Sequence, residues 1–256
     1  MDILVLLKLV PDVVEELEVA PDGKSLDTQW LRLRVNETDE HALEEALFLK
    51  ENHGGTVTVV ALEGPEADDA LYTALAKGAD RAVKIPGAWA CSSSSALARI
   101  LADAARSLPG ADLYLTGAQA IDDLDGEIAP RLAHSLGLPY LGGITGIVPN
   151  ADARTALVTK EYAGGVRVQF EIPLPAVLGV QAAERPPRYV PVARIRQAMK
   201  TSKVETLPLA PSETASFLEI HRMFKPEVAE RAEFLEGSPE EVARKICDIL
   251  AQHGLL

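Results

Sequence analysis

Cysteine is scarce in this chain of 256 residues. Its two cysteines, Cys91 and Cys247, exclude a disulfide scaffold and any cysteine-rich zinc or iron–sulfur centre. Basic charge is also short: 25 Lys and Arg stand against 38 Asp and Glu, a formal net charge of −13. That balance leaves no basic face to neutralise nucleic-acid phosphates, so no nucleic-acid partner is expected. No apolar run reaches the roughly 18 residues of a membrane span. The opening MDILVLLKLV is too short and wrongly flanked for a secretory signal. A soluble, cytoplasmic protein without membrane insertion is expected. The five histidines, His41, His53, His134, His221 and His253, show no metal-ligand spacing. Internal repeats, a dinucleotide glycine fingerprint and a P-loop are all missing.

What is present is an ordinary globular composition, 47% apolar and 25% charged, long enough for one large α/β domain or two small ones. Ile3 to Val10 is a continuous apolar run that reads as a buried strand. Ala42, Leu43, Ala46 and Leu47 repeat at helical spacing within Asp39–Leu49, and Gly54-Gly55 ends that helix. Thr56–Leu62 is a β-branched strand, and a helix from Pro65 to Gly78 follows. Arg81–Ile85 and Asp112–Thr116 read as strands. Between them the serines at 92–95 cap a helix reaching about Ser107. A helix near Glu127–Leu136 comes next. Strands alternating with helices predict a doubly wound, mostly parallel α/β sheet with helices on both faces.

After Leu138 the rhythm changes. Ile144–Val148, Thr155–Glu161, Val166–Ile172 and Ala176–Val180 read as antiparallel strands added to the sheet, joined by turns such as Asn150-Ala151-Asp152 and Gly164-Gly165. From Glu184 the run ERPPRYVPVARIR reads as an exposed arm without helix or strand pattern, and residues 201–237 show no clear periodicity. Ser238-Pro239-Glu240-Glu241 opens a final helix that runs to Gly254. The organisation expected is an α/β nucleotide-binding-type domain over 1–183, an arm over 184–200 and a C-terminal extension over 201–256.

In an open parallel sheet, ligands bind beyond the carboxyl ends of the strands. Lys8–Asp12, Asn36–Asp39, Leu62–Pro65 and Gly117–Pro130 meet there. The last, GAQAIDDLDGEIAP, lies between a strand and a helix, and its small residues let backbone amides face a ligand. On pattern alone it stays open between a nucleotide site and a structural loop. Asp122, Asp123 and Asp125 allow a metal site or a solvated acidic turn, and the second reading is the ordinary one. Ser92–Ser95 has no partner histidine, Cys91 reads as a packed residue, and His134 sits at helical spacing. No catalytic or metal-ligating set is assigned.

Taken together, ILVLLKLVPD, VNETDEHALEEALFLKE, ALAKGADRA, GAQAIDDLDGEIAP and PPRYVPVARIRQAMK resemble the β subunit of electron-transfer flavoproteins over nearly the whole chain. Pro11, Pro130 and AEFLEGSPEEVARKICDIL are closer to the electron-bifurcating branch. The resemblance implies a heterodimer with an α subunit that holds the redox-active FAD. It also implies a second nucleotide in this chain, AMP in simple carriers or a second FAD in bifurcating ones. The family's nucleotide contacts map onto Leu6, Lys8, Asn36, Asp39, Leu62, Gly117, Gln119, Ala120, Gly126, Glu127 and Ile128. Its recognition loop maps onto Arg188, Tyr189, Val192 and Ile195, with Val192 as the aliphatic anchor for an acyl-CoA dehydrogenase-type flavoenzyme. The C-terminal extension is expected to wrap the α subunit.

The chain departs from the family at Ala118, in place of a basic residue, at Glu127 in place of Gln, at Asp125 in place of a small or polar residue, and at Glu63 in place of Gly. Each change removes positive charge or adds negative charge near where a phosphate should lie. Like charges about 4 Å apart cost roughly 4 kcal/mol at an effective dielectric near 20. Low occupancy of the second nucleotide site is therefore expected. Three functions follow: a simple electron carrier, which is a subunit rather than a stand-alone enzyme; a bifurcating subunit coupled to NADH oxidation; or a non-redox nucleotide-binding protein of the same fold.

Overall fold

The computed structural model describes residues 1–87, 93–123, 126–150, 152–209, 220–226, 232 and 234–256. Cys91, Ser92, Asp125 and Ala151, which carry sequence-based expectations, lie outside them. The chain divides into two units, Met1–Met223 and Phe224–Leu256.

The first unit is built on parallel strands β1 (Asp2–Leu7), β4 (Thr56–Leu62), β5 (Arg81–Ile85) and β6 (Leu113–Gly117). Helices α1 (Glu37–His53), α2 (Ala67–Lys77), α3 (Ser94–Ser107) and α4 (Ile128–Leu136) connect and follow them. Five of the six β1 residues are buried, because both faces of the sheet are covered. Ile3, Val5 and Leu7 join α1 and α2 in one apolar layer, through Leu43, Leu47 and Leu71. Leu4 and Leu6 join α3 and α4 in the other, through Ile100, Leu101 and Leu132. Ser93 caps α3 by accepting the Ala96 N–H at 3.3 Å.

The run Ile3–Val10 divides at Lys8. Its backbone N–H donates to the Asp39 side chain at 2.8 Å and its carbonyl accepts the Asn36 N–H at 2.9 Å. Both groups thereby leave the large sheet. Beyond them β2 (Leu9–Pro11) pairs antiparallel with β3 (Leu33–Val35) in a separate two-stranded sheet.

Next in the chain, β7 (Tyr140–Asn150), β8 (Thr155–Tyr162) and β9 (Val166–Pro173) form the antiparallel addition. The expectation fails for β10 (Ala176–Val180). It enters between β6 and β7 and is parallel to both. All five of its residues are buried, the pattern of an internal strand with two covered faces. A short β11 (Glu205–Thr206) pairs parallel with β5, and Leu207 and Leu209 pack on the second apolar layer. The strand order is β11-β5-β4-β1-β6-β10-β7-β8-β9.

The arm is a second correction, because α5 occupies Val192–Thr201. Pro191 is its N-cap, and only Ala198 is buried. Ala198, with half-buried Ile195, packs on Leu75 and Ala76 of α2. So narrow an apolar stripe leaves little helical pattern to read amid Arg and Pro.

In the second unit, α6 (Pro239–Gln252) starts at a capping box: Ser238 accepts the Glu241 N–H at 3.3 Å, and Glu241 accepts the Ser238 N–H at 2.8 Å. None of its residues is buried, and a 14-residue helix without burial is marginal in water. Ser238→Ala is expected to cost α6 about 1 kcal/mol. Hydrogen exchange should then show faster exchange across α6 alone, whereas unchanged protection would deny the cap this role.

Candidate functional site

β1 is flanked by β4 on one side and β6 on the other, so the order of strand connection reverses across it, although all three strands run parallel, and a crevice opens beyond the ends of β1 and β6. Lys8 and Gly117 stand at those ends. Asp39, in the first turn of α1, links them: it accepts the Lys8 N–H at 2.8 Å and the Gly117 N–H at 2.5 Å. Burial pushes Asp39 up to about 7, against the pull of those two N–H groups. A Cβ at Gly117 would lie 2.1 Å from Thr38 Oγ1 and 2.6 Å from Asp39 Oδ1, so the close approach demands glycine. The Asn36 amide donates to Thr38 Oγ1 at 2.9 Å and to the Gln119 carbonyl at 3.1 Å, while Thr38 Oγ1 donates to the same carbonyl at 2.8 Å. Two donors from the α1 N-terminus thus pin the loop after β6.

The acidic part of that loop folds onto Lys8. Its Nζ lies 2.7 Å from Asp122 Oδ1 and also binds Asp123. Burial works against the ammonium, but hydrogen bonds and charge from both aspartates raise its pKa above the ordinary value. Asp123 also accepts the Ala120 N–H at 3.1 Å. Gly126, at φ +63°, sits beside the Gln119 side chain. Glu127 pairs with Arg131 one turn along α4, and Glu63 accepts the Gly87 N–H at 3.0 Å.

The expected nucleotide contacts therefore separate. Lys8, Asn36, Asp39, Gly117, Gln119 and Ala120 come together, with Gly126 alongside. Leu62 follows Ala61, which pairs with Leu7 at the end of β1. Leu6, Leu62 and Ile128 pack in the apolar layer shared with α3 and α4.

The residues expected to dock a partner separate too. Tyr189 and Val192 are 84% and 57% exposed. Arg188 turns inward and grips Glu44 through Nε and Nη2, the latter at 2.7 Å, and Ile195 packs on α2.

Residues 25–212 match the model of the electron transfer flavoprotein domain. Over 261 residues the chain is 31% identical to the electron transfer flavoprotein subunit beta of Methylophilus methylotrophus, covering 98% of both chains. With the subunit of the same name from Bacillus subtilis it shares 33% over 264 residues, 98% of this chain and 97% of that one. Protein FixA of Azorhizobium caulinodans is 35% identical over 175 residues, 66% of this chain and 62% of its own. The chain belongs to the electron transfer flavoprotein β-subunit family.

The electron transfer flavoprotein fold explains why the crevice was legible, since the loops that build it follow strand ends. Thr38 lies within the expected Asn36–Asp39 segment but is not singled out by sequence, because a threonine between an N-cap and a buried aspartate carries no spacing signal. Asp122 and Asp123 stood out as carboxylates and Lys8 as a nucleotide contact, but their pairing carries no sequence signal. Among the described residues no group of three or more His, Cys, Asp or Glu side chains is placed to hold a metal. Nor is any helix long and apolar enough to cross a membrane among those residues.

A nucleotide's fit to the crevice is divided. The glycine approach at Gly117 and the loop anchored on Gln119 suit a backbone cradle. The charge does not suit a phosphate: Lys8 is the basic side chain among the mapped contacts, and two aspartates neutralise it.

Proposed function

We propose that this chain is the β subunit of a heterodimeric electron transfer flavoprotein that passes electrons between an acyl-CoA dehydrogenase-type flavoenzyme and a second redox partner. The redox-active FAD belongs to the α subunit in this reading. The observation that carries it is near-full-length similarity to proteins named as that subunit, joined to a crevice at the switch point and, separately, an exposed aliphatic side chain, Val192, in the arm. A small apolar anchor ringed by polar groups suits the brief contacts of electron-transfer partners.

The second nucleotide, AMP or FAD, is carried at sub-stoichiometric occupancy unless the α subunit or a cation supplies positive charge. Support comes from the Lys8 cluster with Asp122 and Asp123. Counting nucleotides released from the purified heterodimer tests this reading: one FAD and well under one equivalent of AMP are expected. A full equivalent of AMP would overturn the low-occupancy assignment, and a second FAD would move the chain to the bifurcating reading. Ala118→Lys with Glu127→Gln, which removes the acidic partner of Arg131, should raise occupancy several-fold.

A further inference from the structure

The segment leading into α5 is held by one side of α1. His41, Glu44, Glu45, Phe48 and Glu51 recur at helical spacing and each engages it. The Ala183 N–H donates to His41 Nδ1 at 3.2 Å, and the Glu184 N–H donates to Glu45 Oε2 at 3.1 Å. The Arg185 guanidinium lies 4.4 Å from the centre of the Phe48 ring. Arg188 completes the series. Its N–H and Nε donate to Glu44 at about 3.0 Å, and its Nη1 donates to Glu51 at 2.5 Å and to the Lys77 carbonyl at 3.5 Å.

We propose that this face of α1 is a strap that sets the pose of the docking residues, with Glu44 and Glu51 as positioning residues acting through Arg188. The inference rests on the docking role of Val192 argued above. Apolar contact is small, since the segment and α5 together bury only Val190 and Ala198 and half-bury Ile195, and it is non-directional. A planar guanidinium forked between two carboxylates fixes direction as well as distance, which a lysine at the same place would not. Glu44 is buried at 3% exposure. Burying an ion pair adds little net stability over a well-packed apolar pair, so geometry is the better account of its use. Only three residues, Tyr189, Val190 and Pro191, lie between Arg188 and Val192, so a shift at the fork carries directly to the anchor.

The test uses the whole heterodimer and an acyl-CoA dehydrogenase that reduces the unmodified complex, with its acyl-CoA as electron source. Glu44→Gln is expected to raise the KM for the dehydrogenase about tenfold and Glu51→Gln about threefold. Flavin content and the rate of reduction by dithionite should stay as they are in both variants, and the thermal midpoint in Glu51→Gln, while deuterium uptake in α5 rises. Should Glu44→Gln fail to fold, Glu51→Gln remains, because its side chain is about half exposed. Unchanged KM in both variants, with Val192→Asp impaired, would overturn the strap and leave the docking reading intact. Unchanged KM in all three would overturn both.

Discussion

Val192→Asp is expected to raise the KM of the heterodimer for an acyl-CoA dehydrogenase about a hundredfold while leaving fold and flavin content unchanged. An unpaired carboxylate moved into an apolar pocket costs several kcal/mol, and each 1.4 kcal/mol is a tenfold loss of affinity. The fold survives for two reasons. Val192 is 57% exposed, so no core contact is lost. It is also the first residue of α5, where a negative charge interacts favourably with the helix dipole, by about 0.3–1 kcal/mol. Steady-state kinetics with varied dehydrogenase is the measurement. Unchanged KM and kcat would remove Val192 from the docking surface.

Asp39→Ala is expected to destabilise the chain by about 2–6 kcal/mol, because the buried N–H groups of Lys8 and Gly117 lose their acceptors at roughly 1–3 kcal/mol each. For a chain of this size the thermal midpoint should fall by about 10 °C. The loss also depends on pH with a defined sign. Burial raises Asp39 to about 7 from an ordinary 3.8, so between those values the folded state binds more protons than the unfolded one. Its contribution is therefore fully present below about pH 4 and declines as pH rises to about 7. The gap in midpoint between wild type and Asp39→Ala should shrink from pH 5 to pH 8. Glu45, which burial also pushes up to about 7, gives both proteins a parallel decline and cancels in the comparison. A gap that stays constant or widens with pH would show Asp39 ionised throughout.

Much of the fold could be read along the chain. Thr56–Leu62, Arg81–Ile85 and Ala176–Val180 have their expected ends, because β-branched and apolar runs between turn residues depend only on near neighbours. The capping box at Ser238 and the N-cap at Ser93 are equally local. The crevice segments were legible for the same reason: they are the loops that follow strands.

The direction of β10 was not legible, since a short apolar strand reads the same whether its neighbours run with it or against it. Only the place taken between β6 and β7 decides it. The helix α5 was hidden because its apolar stripe is narrow and its pose depends on α1 and α2.

By itself, then, the amino-acid order determined the alternation of strands and helices, the caps, the acidic balance and the family to which the chain belongs. Only the tertiary structure decided what the charges do. Lys8 meets Asp123 across 115 positions of chain, and Arg188 meets Glu44 across 144. Local spacing carries no record of such pairs. They form because the sheet brings the ends of β1 and β6 together and lays the arm along α1, so a lysine and an arginine that read as free for a phosphate or a partner are turned onto this chain's own carboxylates.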